Sequence, residues 1–516
     1  MTERRVVVIG AGVGGLSAAI RLAAQGVRVT LIEAAATPGG KMREVEHCAA
    51  RIDAGPTILT MRHVFEDLFH QAGETLADHV TLTPLKILAR HAWDDRQRLD
   101  LYADRQQSAD AIGAFAGADA ARGYLDFCQR AGQIYKTLSA PFIEASRPNL
   151  VSLISRIGFA NVSDIRRITP YQSLWNALAT HFKDPRLHQL FGRYATYCGS
   201  SPFSAPATLM LVAHVEQDGV WSVDGGMYQL TCALAALAEK LGVDIQYDTR
   251  VDRILVTAGR ASGVITDSGA RFAADAIVCN GDVSSFAAGL FGSELANAVR
   301  ATPPKGRSLS AITWGLTTRT SGFPLTRHNV FFSNAYKSEF DDIFKNARLP
   351  RSPTVYVCAQ NRLDEQLADN KADRLLVLVN APATNESDAQ DEALSIAEIE
   401  RCQAATIRLL SHCGLSLDQP LESAQRTSPQ DFAALFPASG GALYGRASHG
   451  WMASFARPGS RTRVPGLYLA GGSAHPGPGV PMAALSGRQA AQSVMADLTS
   501  ASPSRRSLMR GGMLTR

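Results

Sequence analysis

Charged residues and paired cysteines are scarce in this chain. Of its 516 residues, 19% are charged and 46% are hydrophobic, so the chain can bury a large core. Its eight cysteines are scattered and include no Cys-x-x-Cys pair, which predicts neither a metal site nor a disulfide framework. We therefore expect a folded protein of a reducing, cytoplasmic compartment that binds no metal.

Long apolar runs and a strong charge imbalance are also absent. No stretch reaches the roughly 18 consecutive apolar residues that would cross a bilayer. The net charge is only +5, and the acid-free segment 501–516 holds four arginines. These values predict no nucleic-acid partner. The basic segment is compatible with a flexible, solvated tail or with contact to anionic lipid.

What the chain does contain is a complete β-α-β unit over residues 6 to 43. A β-branched run is followed by Gly10, Gly12 and Gly15 in the spacing G-x-G-x-x-G, then by a helix and a second strand that ends in Glu33. In such units the glycines allow a tight turn and a close approach to a pyrophosphate, while the acid accepts from ribose hydroxyls. The unit therefore predicts a bound dinucleotide.

Two further turns favour a flavin over a nicotinamide. Residues 38–43 read PGGKMR and place two cations beside the predicted cleft. Near the other end of the chain, a strand over 466–470 is followed by a glycine pair, a loop rich in glycine and proline, and a helix from Pro481. The N-terminus of that helix would direct its positive dipole end at a flavin ring. No second G-x-G-x-x-G for a nicotinamide cofactor is visible.

The periodicity predicts an α/β nucleotide domain interrupted by a second domain. A hairpin over 80–103 and a mostly helical stretch come first, and an antiparallel sheet with strands over 309–318, 353–360 and 374–380 comes later. The predicted segments are 1–75, 221–290 and 461–500 for the nucleotide domain, 76–220 and 291–460 for the second domain, and 501–516 for a basic flexible tail.

Five stretches spread over the chain resemble the flavin amine-oxidase-like superfamily and, within it, the carotenoid and retinoid oxidoreductases of the phytoene-desaturase type. They read VVVIGAGVGGLSAAIRLAAQGVRVTLIEA, TPGGKMR, DAGPTILT, VDGGMYQLTCALAALAEKLGVDI and GLYLAGGSAHPGPGVPMAALSGRQAA. GPTILTMRHVFEDLF and SAHPGPGVPMAALSGR look like the 1-hydroxycarotenoid 3,4-desaturase (methoxyneurosporene dehydrogenase) branch of phototrophic bacteria. The loop 476–481 departs from the Gly-Ala-Gly-Ile-Pro type of ordinary phytoene desaturases, which disfavours phytoene as substrate.

The resemblance implies an α/β fold, in which a Rossmann-like FAD-binding domain carries an inserted α+β substrate domain. It also implies cofactor roles at the matching positions. Gly10, Gly12, Gly14 and Gly15 would hold the pyrophosphate, Glu33 the adenosine ribose, and the Val251 backbone the adenine. Lys41 and Arg43 would lie along phosphate and flavin, Gly55, Pro56 and Thr57 near the isoalloxazine, Gly472 at the ribityl phosphate, and Pro481 and Met482 at the pyrimidine edge.

The implied substrate is an acyclic carotenoid in a long apolar tunnel, bound mainly by hydrophobic burial. We expect desaturation to pass an allylic hydride to the flavin and then to lose a neighbouring proton, for which His475 is the candidate base. Candidates for contact with a polar substrate end are Tyr444, Arg446, His449 and Trp451. Candidate tunnel aromatics are Phe142, Tyr171, Trp175, Tyr194 and Tyr197.

Carotenoids reside in membranes, so we expect peripheral association with the cytoplasmic face of the inner membrane, and oxygen or a quinone as the electron acceptor. Other interpretations stay open. They are a phytoene desaturase, an amine or protoporphyrinogen oxidase of the same fold, and a non-catalytic lipid-binding module of the prenyl-escort type. The intact Lys41, Arg43 and segment 466–482 argue against the last of these.

Overall fold

The computed structural model describes residues 4–146, 171–363, 372–384 and 394–500. The predicted tail, 501–516, lies outside the described residues. The strands in chain order are β1 (Arg5–Ile9), β2 (Arg28–Ile32), β3 (Glu44–His47), β4 (Ala50–Asp53), β5 (Leu82–Pro84), β6 (Ile87–Ala92), β7 (Arg98–Tyr102), β8 (Trp221–Val223), β9 (Asp244–Gln246), β10 (Val251–Thr257), β11 (Arg260–Thr266), β12 (Arg271–Ala273), β13 (Ala276–Cys279), β14 (Ser310–Thr318), β15 (Thr320–Gly322), β16 (His328–Phe331), β17 (Val355–Ala359), β18 (Asp373–Ala381), β19 (Leu415–Leu417), β20 (Gln425–Thr427) and β21 (Leu467–Leu469).

The α-helices are α1 (Val13–Ala23), α2 (His63–Gln71), α3 (Arg105–Ala116), α4 (Ala118–Leu138), α5 (Leu174–Leu178), α6 (Pro185–Gly192), α7 (Leu211–Gln217), α8 (Tyr228–Lys240), α9 (Ser284–Ala287), α10 (Tyr336–Phe344), α11 (Ile396–His412), α12 (Pro429–Leu435) and α13 (Val480–Ser500). Short 3-10 turns, among them Arg193–Cys198, connect several of them.

A parallel five-stranded sheet forms the centre of the nucleotide domain, with strand order β21-β13-β1-β2-β9. Successive side chains of a strand point to opposite faces, and β1 uses both of its faces. Val6 and Val8 pack with α1, α8 and α13, whereas Val7 and Ile9 pack with the small antiparallel sheet β10-β11-β12. Burial on both faces explains why β1 reads as an unbroken apolar run.

Helices α1 and α13 lie in close contact because small residues face each other. A Cβ on Gly487 of α13 would lie 2.3 Å from the Gly14 carbonyl oxygen and 2.9 Å from the Ser17 Cβ. The Ser17 hydroxyl donates to the Ala484 carbonyl at 2.8 Å, so the contact is also fixed by a hydrogen bond. This packing sets the start of α13 beside the start of α1.

The second domain contains a seven-stranded sheet, with strand order β20-β14-β18-β17-β16-β6-β7. The three strands predicted for this sheet are β14, β17 and β18, and they pair antiparallel as expected. The sheet as a whole is mixed, because β6 and β16 pair in parallel. The predicted hairpin is β6-β7, and it joins this sheet rather than standing with the helical stretch that follows it. The boundaries predicted for the domains remain a proposal.

Helices α3 to α7 cover one side of this sheet through a core rich in aromatic residues. Phe127, Phe182 and Phe191 are fully buried there, and their ring centroids lie between 4.7 and 5.7 Å apart. Within the residues that the structure describes, no helix has the length and apolar character needed to cross a membrane.

Asp53 joins the two domains at the end of β4. Its carboxylate accepts from the backbone N–H groups of Met227 at 2.7 Å and Tyr228 at 3.0 Å, at the start of α8. Its own backbone N–H and C=O pair with the side-chain amide of Gln360 at 2.9 and 2.8 Å, just beyond β17. The turn that follows, Gly55–Thr57, is therefore held between the two sheets.

Candidate active site

The glycine-rich turn between β1 and α1 opens onto a large cavity of about 1150 Å³. Gly10 has a φ of +94°, which an L side chain rarely adopts, and a Cβ on Gly15 would lie 2.0 Å from the Gly10 carbonyl oxygen. A Cβ on Gly14 would lie 2.7 Å from the Gly471 nitrogen. The turn thus exposes backbone and the positive end of α1 to the cavity, which suits a pyrophosphate.

Glu33 follows β2 and is held beside this turn. Its Oε2 accepts from the Ala11 backbone N–H at 2.6 Å, and its Oε1 accepts from the Ala35 backbone N–H at 2.9 Å. These bonds fix the orientation of the carboxylate, which lines the cavity. Carboxylate lone pairs that remain can accept from ribose hydroxyls.

Asn280 is a site residue that the sequence analysis did not identify. It follows β13, and added Cβ atoms on Gly12, Gly14 and Gly471 would lie 2.8, 2.6 and 2.6 Å from its side chain. Its Nδ2 donates to the Gly10 carbonyl at 3.4 Å, and the residue lines the cavity. The polar end of the β13 segment was visible in the sequence, but its pairing with β1 was not.

Lys41 and Arg43 reach across the cavity wall to the second domain. The Lys41 Nζ donates to the Leu443 carbonyl at 2.7 Å, and the Arg43 Nη2 donates to the Thr427 hydroxyl at 2.9 Å. Both line the cavity, and burial lowers the pKa of each. The two cations therefore tie the domains together as well as facing the space predicted for the cofactor.

Nearly all the residues predicted to hold the cofactor line this one cavity. Gly15 is the exception, because it is packed behind the turn. Gly55 has no room for a Cβ, which would lie 1.8 Å from the Lys41 carbonyl oxygen. The residues that line the cavity are Gly10, Gly12, Gly14, Glu33, Lys41, Arg43, Gly55, Pro56, Thr57, Val251, Gly472, Pro481 and Met482.

Arg457 is a second residue that sequence reasoning missed, and it shapes the loop beside Gly472. It is buried, and its Nη1 donates to the carbonyl oxygens of Tyr444 at 3.0 Å and Gly472 at 3.2 Å. Its Nη2 donates to the Arg446 carbonyl. Burial lowers the pKa of Arg457 to about 10, so the guanidinium stays charged at neutral pH.

The geometry does not support His475 as a base. The side chain is buried and is not among the cavity-lining residues, and its Nε2 donates to the Phe142 carbonyl at 2.8 Å. Burial lowers the pKa of His475 to about 4. A general base must reach the proton that it takes, whereas this ring lies behind the wall and packs edge-on to Phe142.

Beyond the nucleotide end, the cavity wall becomes apolar. Its lining there includes Leu138, Ile143, Leu209, Leu211, Val212, Val215, Val330, Leu376 and Leu378. Of the aromatic residues predicted to line a tunnel, Phe142, Tyr171 and Tyr197 do so. Trp175 and Tyr194 do not, because Trp175 packs on Phe203 and Tyr194 is buried in the helical core.

Of the four residues predicted to meet a polar substrate end, two line the cavity and two do not. Tyr444 and Trp451 line the cavity. Arg446 and His449 do not, and the His449 Nε2 accepts from the Ser201 backbone N–H at 3.0 Å. Burial lowers the pKa of His449 to about 4, so this ring is a neutral structural acceptor.

These features match a known family over almost the whole chain. The profile of the family described as "Flavin containing amine oxidoreductase" matches residues 13–495. The chain belongs to this family. The predicted fold class and family are thereby confirmed, and the glycine cradle, Glu33 and the start of α13 fit the flavin that the family carries.

Relatives that match over nearly the full length include two hydroxyneurosporene desaturases and a 4,4'-diapolycopene oxygenase. The chain is 52% identical to the hydroxyneurosporene desaturase of Rubrivivax gelatinosus, over 100% of this chain and 98% of that protein. It is 43% identical to the hydroxyneurosporene desaturase of Cereibacter sphaeroides, over 96% and 99%. It is 31% identical to the 4,4'-diapolycopene oxygenase of a Methylomonas species, over 96% and 99%.

Solved structures agree on the fold. Putrescine oxidase bound to putrescine superimposes with a TM-score of 0.59 at 16% identity, over 96% of this chain and 99% of that chain. An oxidoreductase from Methanosarcina mazei gives a TM-score of 0.59 at 17% identity, over 95% and 100%. At these identities the likeness concerns the architecture alone.

The neutral, buried state of His475 predicts a pH dependence of stability. Its pKa is about 4 in the folded protein, against roughly 6.5 in an unfolded chain. Between these values only the unfolded chain takes up the proton, so stability falls as the pH is lowered. The free energy of unfolding falls between pH 7 and pH 5, and we expect this fall to be about 2 kcal/mol smaller in His475→Gln than in the wild type.

Urea unfolding at the two pH values measures this difference, with the exposed His70→Gln as the matched control. An unchanged pH dependence in His475→Gln would contradict the buried, neutral state. The same variant should keep the wild-type pH profile of catalysis, since the ring does not reach the cavity.

Proposed function

We propose that this protein is an FAD-dependent carotenoid desaturase. It introduces a carbon–carbon double bond into an acyclic carotenoid, at the 3,4 position of a 1-hydroxy- or 1-methoxy-neurosporene type of substrate. The observation that carries the proposal is the full-length identity of 52% with a hydroxyneurosporene desaturase. The continuous cavity, with a polar nucleotide end and an apolar far end, supports it.

FAD, rather than a smaller flavin, is the cofactor that the cavity suits. Its lining extends from Thr249, Arg250 and Val251 past Glu33 and the glycine turn to Met482. A dinucleotide has an adenosine, a pyrophosphate and a ring to occupy these surfaces in turn. We assign the adenosine to Glu33 and Val251, the pyrophosphate to the α1 terminus, and the ring to the Gly55–Thr57 turn. Flavin released from the protein by heat should accordingly be FAD.

When bound, the flavin supplies the acceptor for the hydrogen removed from the substrate. The protein's own contribution is to position both partners. Val480, Pro481, Met482 and Ala483 line the cavity at the start of α13, so the positive end of a long helix favours negative charge at that point. The apolar wall excludes water and orients the hydrocarbon, which supplies the proximity that the reaction needs.

Desaturation assays test this function. We expect liposome-bound 1-hydroxyneurosporene to gain one conjugated double bond, read as a red shift of its absorbance, and phytoene to remain unconverted. Conversion of phytoene but not of the hydroxylated compound would overturn the narrower assignment. If the protein binds no flavin after reconstitution with excess FAD, the alternative of a non-catalytic lipid-binding module replaces the enzyme.

We also propose that the protein binds a membrane surface, on the cytoplasmic face of the inner membrane, to receive its substrate. Tyr171 and Trp451 line the cavity, are 77% and 38% exposed, and have ring centroids 5.2 Å apart. Met452 beside them is 43% exposed. Exposed aromatic and apolar side chains at a cavity mouth suit insertion into a lipid interface. Oxygen or a membrane quinone would then reoxidise the cofactor.

Co-sedimentation with liposomes checks this surface. We expect the double variant Trp451→Ser/Met452→Ser to lose at least half of the membrane-bound fraction, because the apolar contact area is removed. Leu125→Ser is the matched control, since Leu125 is exposed on α4 but does not line the cavity. Equal loss in both variants, or none in the double variant, would contradict the assignment of the mouth.

A further inference from the structure

A cluster of charged and phenolic side chains interrupts the apolar wall of the cavity. Arg193, Tyr197 and Glu216 all line it, and Arg193 and Glu216 are only 6% and 4% exposed. The Arg193 Nη1 donates to the Tyr197 hydroxyl, which in turn donates to the Glu216 Oε1 at 3.4 Å. Tyr194 donates to the other Glu216 oxygen from behind the wall.

Burial of these charges costs desolvation free energy, which a purely structural role would not recover. A buried ion pair is often no more stable than well-packed apolar side chains of similar volume. Here the pair is also incomplete, because the Arg193 Nη2 lies 3.8 Å from the Glu216 Oε1. The Arg193 Nε and Nη2 are buried without a hydrogen-bond acceptor among the described residues. Arg193 lines the cavity, so its guanidinium has unused donors beside a space that a ligand oxygen can enter.

The cluster lines the same cavity as Tyr356 and the turn assigned to the flavin ring. The Tyr356 hydroxyl bonds to the Thr57 hydroxyl at 2.7 Å and to the His328 Nδ1 at 2.7 Å. Arg193 and Tyr356 both line the cavity, so the guanidinium and this chain of hydrogen bonds face the same space. Thr57 belongs to the Gly55–Thr57 turn.

We propose that Arg193 and Tyr197 bind the oxygen on carbon 1 of the carotenoid and thereby determine which bond lies at the flavin. The inference rests on the proposed function. Two carbon–carbon bonds separate carbon 1 from carbon 3, so an oxygen held at the cluster fixes the position of the 3,4 bond along the cavity that also contains the Gly55–Thr57 turn. Glu216 acts as a positioning residue that fixes the guanidinium and the phenol.

The donor chemistry explains why hydroxy and methoxy substrates would both be accepted. A guanidinium only donates hydrogen bonds, and the oxygen of an alcohol or of an ether accepts them equally. A carotenoid without this oxygen would leave the buried donors unpaired, which is an effective means of rejection. Arg446 and His449, predicted earlier for this role, do not line the cavity.

Replacement of the pair by apolar residues gives a test that does not depend on a buried, unpaired charge. Arg193→Met/Glu216→Met should fold and keep its FAD, since such exchanges are often neutral or stabilising. The readout is the ratio of the Kd values of neurosporene and 1-hydroxyneurosporene, with desaturation rates as a second readout. We expect the wild-type preference for the hydroxylated compound to fall at least tenfold, with neurosporene binding as tightly as before or tighter.

Tyr197→Phe is the milder variant and should reduce the same ratio in the same direction if the double variant does not fold. The inference would be overturned if the ratio of the two Kd values stayed at its wild-type value in a folded, FAD-containing double variant or in Tyr197→Phe. A loss of preference in Tyr444→Phe alone would also overturn it, because Tyr444 lines the cavity outside the cluster. A binding preference that persists while the wild type desaturates neither compound would instead contradict the proposed function.

Discussion

One cavity has to take a charged dinucleotide at one end and an uncharged hydrocarbon at the other, and most of the structure follows from that constraint. At the nucleotide end the protein offers backbone, glycine and helix termini, since Gly14 and Gly471 both press against Asn280 without room for a Cβ. At the far end it offers aliphatic side chains from the mixed sheet and the helical layer. The first surface binds by polarity and the second by burial.

Buried hydrogen bonds between the two domains hold these two surfaces in fixed positions relative to each other. Asp53 caps α8 and pairs with Gln360 of the second domain, while Lys41 reaches the Leu443 carbonyl. Arg457 donates hydrogen bonds to the carbonyl oxygens of Tyr444 and Gly472, and so joins the two loops that contain them. Lys41 was expected to lie along the cofactor, and its hydrogen bond to Leu443 gives it a second role between the domains.

The sequence predicted the features that local spacing encodes. These include the β-α-β unit and the start of α13, while the resemblance supplied the other residues expected at the cofactor. The sequence could not predict that Asn280, Arg193 and Glu216 line the cavity, because their positions depend on the pairing of β13 with β1 and on helices folding over a distant sheet. The mixed sheet and the buried position of His475 depend on the same long-range contacts. Aromatic spacing alone likewise did not separate Phe142 from Trp175.

An anaerobic single-turnover measurement tests whether this cavity brings a flavin and the 3,4 bond of a hydroxylated carotenoid together. FAD-loaded protein is mixed with one equivalent of 1-hydroxyneurosporene in liposomes, and the flavin and carotenoid absorbances are followed together. We expect the flavin to bleach at the same rate as the lengthened chromophore appears, one for one. A flavin that stays oxidised while the carotenoid is bound, or a product formed without bleaching, would contradict this expectation.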